Sequence, residues 1–231
     1  MRVPCVPVYG GRMRIRKLVF IAAAAALVVG VTAGRTSGQT SDMKPMMMKV
    51  DQAMVDKITS TWKSEPKALA VKIIAKYGLP QEASANRLIW MNNGPWKWSE
   101  LVNEEIQHDF PMPHHDMFYQ AIAWRVPADK VDELAEYDGS VIVERTKGEV
   151  GARCDKEEAN FLAINLAHDL VTGKKGVDEA RKAYSEAVGE MKHPEYMKGF
   201  VFTVPAGMQG DPDKATIDKA TIDKMKMMKK E

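Results

Sequence analysis

The sequence predicts an α+β fold: an antiparallel sheet of four to six strands packed by helices, with a C-terminal helical hairpin and disordered ends. Three observations predict it. Apolar residues recur at helical spacing at both ends of the folded region, in residues 50–77 and 155–191. The stretch between them is strand-like and broken by turn signals. Helices, strands and helices thus follow in blocks, where a parallel sheet would need them to alternate. With 231 residues, 45% apolar and 28% charged, the chain suffices for one core and is too ordinary for a disordered, collagenous or multi-span membrane protein.

Before the domain comes an address. Arg12, Arg14, Arg16 and Lys17 precede an apolar run, residues 18–33, and a polar, small-residue exit. This is the order of a secretory signal peptide. Val31 and Ala33 suit a peptidase cutting before Gly34, with Gly38 a second candidate, and Met13 offers an internal start. The alternative is an uncleaved anchor, but sixteen residues fall short of the roughly 20 that a spanning helix requires. The predicted organisation is a signal at 1–33, a flexible lead-in at 34–49, a single domain at 50–205 and a Lys/Met-rich low-complexity tail at 206–231. The product is expected outside the cytoplasm of a bacterium, in the periplasm or beyond, with no transmembrane segment after cleavage. Six of the 33 basic residues and none of the 31 acidic ones lie in 1–38, leaving 27 against 31, a net of −4. Such a surface offers nucleic acid no electrostatic footprint.

Within the domain, Val50, Met54, Val55, Ile58 and Trp62 mark a first helix. Ser64 is placed to cap a second, Pro66 fits its first turn, Leu69, Ile73, Ile74 and Tyr77 share a face, and Gly78 with Pro80 ends it. Residues 87–91 form a strand that meets the turn Asn92-Asn93-Gly94-Pro95 and then Trp96-Lys97-Trp98. Residues 99–107 fit strand or helix equally. Residues 117–126 are a strand closed by Pro127, 129–137 a short helix, and 140–145 a further strand. Asp155 is placed to cap the longest helix, whose Phe161, Leu162, Ile164, Leu166 and Leu170 give it a broad apolar surface. A second helix from Val177 to about Met191 completes the hairpin, and residues 200–204 are expected as an edge strand. The tail repeats KATID at 214–218 and 219–223 and reads as solvated with some helical tendency.

The stretches KYGLPQE, LIWMNNGPWK and DGSVIVERTKGEVGARCDKEEANFLAINLAHDLVTGKKGVDEAR, spread over roughly residues 67–190, resemble a set of uncharacterised exported bacterial proteins. The resemblance implies an exported domain and carries no catalytic residues. A helix ending in KYG-x-P before a tryptophan strand is also similar to small periplasmic α+β modules that bind other proteins.

No phosphate-binding glycine loop, dinucleotide fingerprint, zinc-protease helix, nucleophile elbow or CxxC spacing is present, so no affirmative case for an enzyme exists. Chemistry concentrates instead in the segment from His108 to Asp116, HDFPMPHHD. His108, His114 and His115 are candidate ligands for zinc or copper, with His168 or His193 available from the helical hairpin. Extended backbone sends His114 and His115 to opposite sides, so a site needs His108 folded back, or His168 or His193 contributed from the helical hairpin. The competing expectation is a solvated connector. Met43, Met46, Met47 and Met48, with Met225, Met227 and Met228, suggest soft Cu(I) ligands, opposed by interspersed lysines, and the tail lysines suggest an anionic lipid surface. Cys5 precedes the apolar run, which leaves Cys154 alone in the mature chain: a buried thiol, or a nucleophile if His168 reaches it. Trp96 and Trp98 are expected on one sheet face, as core or as a surface that captures a partner. The function expected from sequence is a non-catalytic binding or assembly module of the bacterial envelope with a protein partner. A periplasmic copper- or zinc-binding protein and an unrecognised enzyme are the alternatives.

Overall fold

The computed structural model describes residues 49–207, 209–210 and 213–229. The predicted signal, the lead-in up to residue 48 and the N-terminal methionine cluster lie outside the described residues. Helices α1 (Gln52–Thr59) and α2 (Ser64–Tyr77) come first, then strands β1 (Glu82–Ser84), β2 (Arg87–Met91), β3 (Trp98–His108) and β4 (His114–Ala123). A 3₁₀ turn (Ala128–Lys130) leads into α3 (Val131–Tyr137), then β5 (Val141–Glu144), β6 (Glu149–Cys154) and the helices α4 (Glu157–Val171) and α5 (Val177–Glu190). Helix α6 (Lys219–Met228) lies in the tail. The six strands form one antiparallel sheet in the order β1-β2-β3-β4-β6-β5. The fold is therefore α+β, as predicted.

Register explains how the sheet binds its helices. Leu88, Leu101, Phe118 and Cys154 lie in one cross-strand row, and Trp90, Ser99, Gln120, Ala152 and Val141 in the next row of the same face. Leu88, Trp90, Leu101 and Phe118 pack with Val55, Trp62, Leu69 and Ile73 of the α1–α2 region. Ile122, Val141, Val150 and Ala152 pack with Leu134, Phe161, Leu162, Leu166 and Tyr184 from α3, α4 and α5. The other face carries Ile89, Met91, Trp98, Glu100, Tyr119 and Arg153. On that face the Tyr119 ring lies across Gly151, where an added Cβ would fall 2.2 Å from the ring. Residues 149–154, to which sequence assigned no element, form β6, with the mid-strand glycine making room for that ring.

The two helical groups are joined by one buried carboxylate. Glu157, 4% exposed at the first position of α4, accepts hydrogen bonds from Lys76 and Tyr77 at the end of α2. It also accepts from the Trp96 indole at 2.7 Å and from Gln120 of β4 at 3.3 Å. Burial is the largest influence on its acidity and opposes the charge, but the four donors together outweigh it and hold the carboxyl below its ordinary range.

Three sequence expectations are corrected. Residues 200–204 do not join the sheet: Val201 N–H donates to Asn165 Oδ1 at 3.0 Å, while Phe200 and Phe202 pack edge-on or stacked against Trp96, Phe161 and His168. Aromatic burial against α4 outcompetes edge pairing there. The N-cap of α4 is Lys156, without a side-chain cap, because the Asp155 carboxylate turns to Cys154 and Lys156 instead. The N-cap of α2 is Lys63, with Ser64 inside the helix. The ambiguous residues 99–107 are strand. The tail carries an ordered helix, capped by Asp218 through Thr221 N–H at 2.9 Å, with no buried residue. No described helix is long and apolar enough to cross a membrane.

Glu157→Gln is expected to lower unfolding free energy by about 2–4 kcal/mol at pH 7, read by urea denaturation, because an amide cannot satisfy four donors. Since the folded carboxyl is more acidic than the ordinary value of 4.5, its contribution is complete above that pH and is lost as the pH falls further. The acid limb of the stability profile should flatten in the variant. Gly151→Ala should cost about 1–3 kcal/mol through the clash with Tyr119; an unchanged midpoint would sink that assignment.

Candidate metal centre

The hairpin of β3 and β4 makes the site. His108 ends β3, His114 opens β4, and the two are registered partners with ring centroids 5.0 Å apart. The connector between them contains a cis Phe110–Pro111 bond. A bulge lies between Leu101 and Ile106: Leu101 pairs with Phe118 but Ile106 with Asp116, so β3 advances five residues while β4 advances two. The odd number of extra residues reverses which side of β3 faces the helices. Without it His108 would point away from His114. On β4 the alternation is unbroken, and His114, Asp116 and Phe118 share the helix-covered face.

Asp116 is buried, 4% exposed, and its two oxygens differ. Oδ2 accepts from Ser140 Oγ at 2.5 Å and lies 3.2 Å from His108 Nδ1. Oδ1 lies 3.2 Å from His114 Nε2, in ion-pair range but without hydrogen-bond alignment, and has no hydrogen-bond partner. His114 Nδ1 is 2.8 Å from the Met112 carbonyl. A carbonyl only accepts, so Nδ1 is the protonated nitrogen and Nε2 of the neutral ring turns a lone pair toward Asp116. In the neutral ring that lone pair faces both Asp116 Oδ1 and the Cys154 sulfur, 3.4 Å away; the Asp116 carboxylate, then Cys154, favour a proton there and push His114 up to about 11, with burial working the other way.

The surround completes the set. His108 Nδ1 lies 3.0 Å from Ser140 Oγ, and its Nε2 lies 3.7 Å from Asp138 Oδ1, which accepts Ser140 N–H at 2.8 Å. Burial pushes the Asp138 carboxyl up. One nitrogen each from His108 and His114 and one oxygen from Asp116 lie within 4.8 Å of one another. Among the described residues no other group of three or more such side chains converges in this way. Neighbouring donors of a tetrahedral zinc site lie about 3.3 Å apart; His114 Nε2 stands 3.2 Å from Asp116 Oδ1 and His108 Nδ1 stands 3.2 Å from Oδ2, so the carboxylate turns one oxygen to each imidazole. Two imidazoles and a carboxylate suit zinc or copper, where magnesium and calcium prefer all-oxygen sets. The Met112 carbonyl on His114 and Asp138 beside His108 are the outer partners that orient metal-bound imidazoles.

The remaining candidates are placed elsewhere. His115 turns to the opposite side, 3.1 Å from Glu65. His168 stacks on Phe202 with centroids 4.0 Å apart, so it serves neither the ligand set nor Cys154; burial pushes its pKa down. His193 is exposed beside Glu195. Met225, Met227 and Met228 are exposed on α6. Trp96 and Trp98 do not share a face: Trp96 belongs to the turn before β3, is 2% exposed and gives its indole N–H to Glu157, while Trp98 lies on the open sheet face beside Tyr119. Asp116 belonged to the suggestive segment but not to the expected ligand set, although its i, i+2 spacing from His114 on a strand could have paired them; Ser140 and Asp138 carried no such signal.

No protein-family model, curated protein or solved structure matches the chain.

Ser140→Ala leaves a second oxygen of a buried carboxylate without a donor and is expected to cost about 1–3 kcal/mol in urea denaturation. His115→Ala removes only a surface pair and should change stability by under about 0.5 kcal/mol. Equal effects of the two would contradict the assigned geometry.

Proposed function

We propose that this is an exported metal-binding protein in which His108, His114 and Asp116 hold a transition-metal ion, zinc or copper. One observation carries it: a buried carboxylate oxygen without an aligned hydrogen bond and a cysteine sulfur both face one nitrogen of an imidazole whose other nitrogen is committed to a carbonyl. A metal cation bound there would take the place of the proton on His114, with His108 as the third donor. Export rests on the basic-then-apolar order of residues 12–33. His115 drops from the ligand set suggested by sequence, and Asp116 replaces it.

Partner capture is a second reading, favoured by a groove of about 460 Å³ on the open sheet face, lined by Ile89, Met91, Trp98, Lys97, Lys147 and Glu149. It would make Trp98, without Trp96, the anchoring aromatic.

Native mass spectrometry and thermal denaturation with Zn(II) test the metal assignment. One ion per chain is expected, with a gain of about 2.7 kcal/mol at a hundredfold excess over Kd. His108→Ala, His114→Ala and Asp116→Asn should each abolish the ion at micromolar metal, and His115→Ala should retain it. Failure of the wild type to hold any ion, or equal loss in His115→Ala, refutes the assignment.

A further inference from the structure

We infer that Cys154 is the fourth donor of this centre, a thiolate that closes it as a His₂AspCys set selective for zinc and its soft relatives. The inference rests on the metal-binding reading above and adds to it the coordination class and the metals the site rejects. Cys154 is the last residue of β6 and pairs with Phe118, two residues along β4 from Asp116, on the same sheet face. It is therefore carried toward the site by the sheet itself, not by a loop. Its Sγ lies 3.4 Å from His114 Nε2, the same nitrogen that faces Asp116 Oδ1. Bonds of about 2.3 Å to sulfur and 2.0–2.1 Å to nitrogen place tetrahedral neighbours about 3.5 Å apart. The nitrogen is thus flanked by the Asp116 carboxylate and the Cys154 thiol, each at the spacing of an adjacent ligand. Burial pushes the thiol's pKa up, and Cys154 is not a member of the 4.8 Å group of His108, His114 and Asp116, so a bound cation would have to displace its proton and draw the sulfur inward. Cys154 is free and 6% exposed.

The alternative use of this pair, a cysteine nucleophile with His114 as its base, fits less well. Such a base turns one nitrogen to the thiol and has the other oriented by a partner while its lone pair stays available. Here Asp116 Oδ1 shares the thiol-facing nitrogen, a crowding that suits a common cation and obstructs proton transfer to a leaving group. A pocket of about 260 Å³ lined by Met112, His114, Cys154, Lys156 and Tyr184 opens onto the sulfur. It gives the ion a route in and out past the thiolate without opening the core. Zinc bound there would therefore exchange with small thiol chelators, and oxygen-seeking ions such as Mg(II) would not compete.

Cobalt(II) substitution tests this on the full chain carrying Cys5→Ser, so that Cys154 is the one thiol present. The Co(II)-loaded protein is expected to show a near-ultraviolet thiolate-to-cobalt charge-transfer band. Cys154→Ser should lose the band and weaken Zn(II) binding about a hundredfold, the order of one ligand's share of a structural site. A second measurement needs no variant at 154: bound Zn(II) should slow iodoacetamide alkylation of Cys154 at least tenfold, roughly. If metal binds but the band is missing, or survives in Cys154→Ser, or alkylation is unprotected, the fourth-ligand assignment is overturned and the three-donor centre stands. If neither Co(II) nor Zn(II) binds, both fall together.

Discussion

The buried carboxylate of Glu157 is the constraint around which the rest of the domain is arranged. A charge that deep is unfavourable unless every lone pair is occupied. Here the occupants come from four separate places: Lys76 and Tyr77 at the end of α2, Trp96 in the turn before β3, and Gln120 in β4. Satisfying one group therefore fixes the ends of two helices against the middle of the sheet. Gln120 extends the network to Ser99, and the Asn160 amide nitrogen extends it to Gln120 and the Phe118 carbonyl, so the polar row between the two apolar clusters is connected, with Asn160 Oδ1 left without a partner. A core divided by polar groups is tolerated because those groups bond to one another.

The candidate metal site inherits its geometry from that arrangement. Cys154 stands three residues before Glu157, and Asp116 four before Gln120. Fixing Glu157 against Gln120 aligns β4 with β6 at the point where both strands run into the site. The hairpin then contributes His108 and His114 as a registered pair, while Ser140, held by Asp138, positions one carboxylate oxygen and leaves the other for a ligand. The donors stand on strand ends, and only the outer partners come from turns. Rigid support of that kind is what a closed coordination set requires, since a displacement of an ångström separates a bonded donor from a bystander.

Much of the fold was legible from residues 50–191. Gly78 and Pro80 act as the boundaries their chemistry implies, while β4 ends at Ala123, short of the expected Pro127, and the breadth of apolar surface in 161–170 marks a helix buried nearly all round. What escaped had a physical cause each time. Strand β6 holds Gly151 at its middle, which leaves space for a tyrosine from the neighbouring strand. Residues 200–204 have strand composition but spend their aromatics on α4. Asp155 is a good cap by type, yet Cys154 and Lys156 attract its carboxylate.

For the site, sequence alone determined which chemistry was available and two of its constraints: adjacent strand positions separate His114 from His115, and a further histidine must come back to meet one of them. Both follow from local geometry, which a sequence carries. Tertiary structure decided the rest. Whether His108 faces the helices depends on the parity of a bulge five residues away. Asp116 becomes a ligand candidate because Ser140, from the turn before β5, satisfies only one of its oxygens. Cys154 meets His114 instead of His168 because β6 lies beside β4. Register, bulge parity and strand order are set by the balance of packing over the whole sheet, and no window of sequence contains that balance.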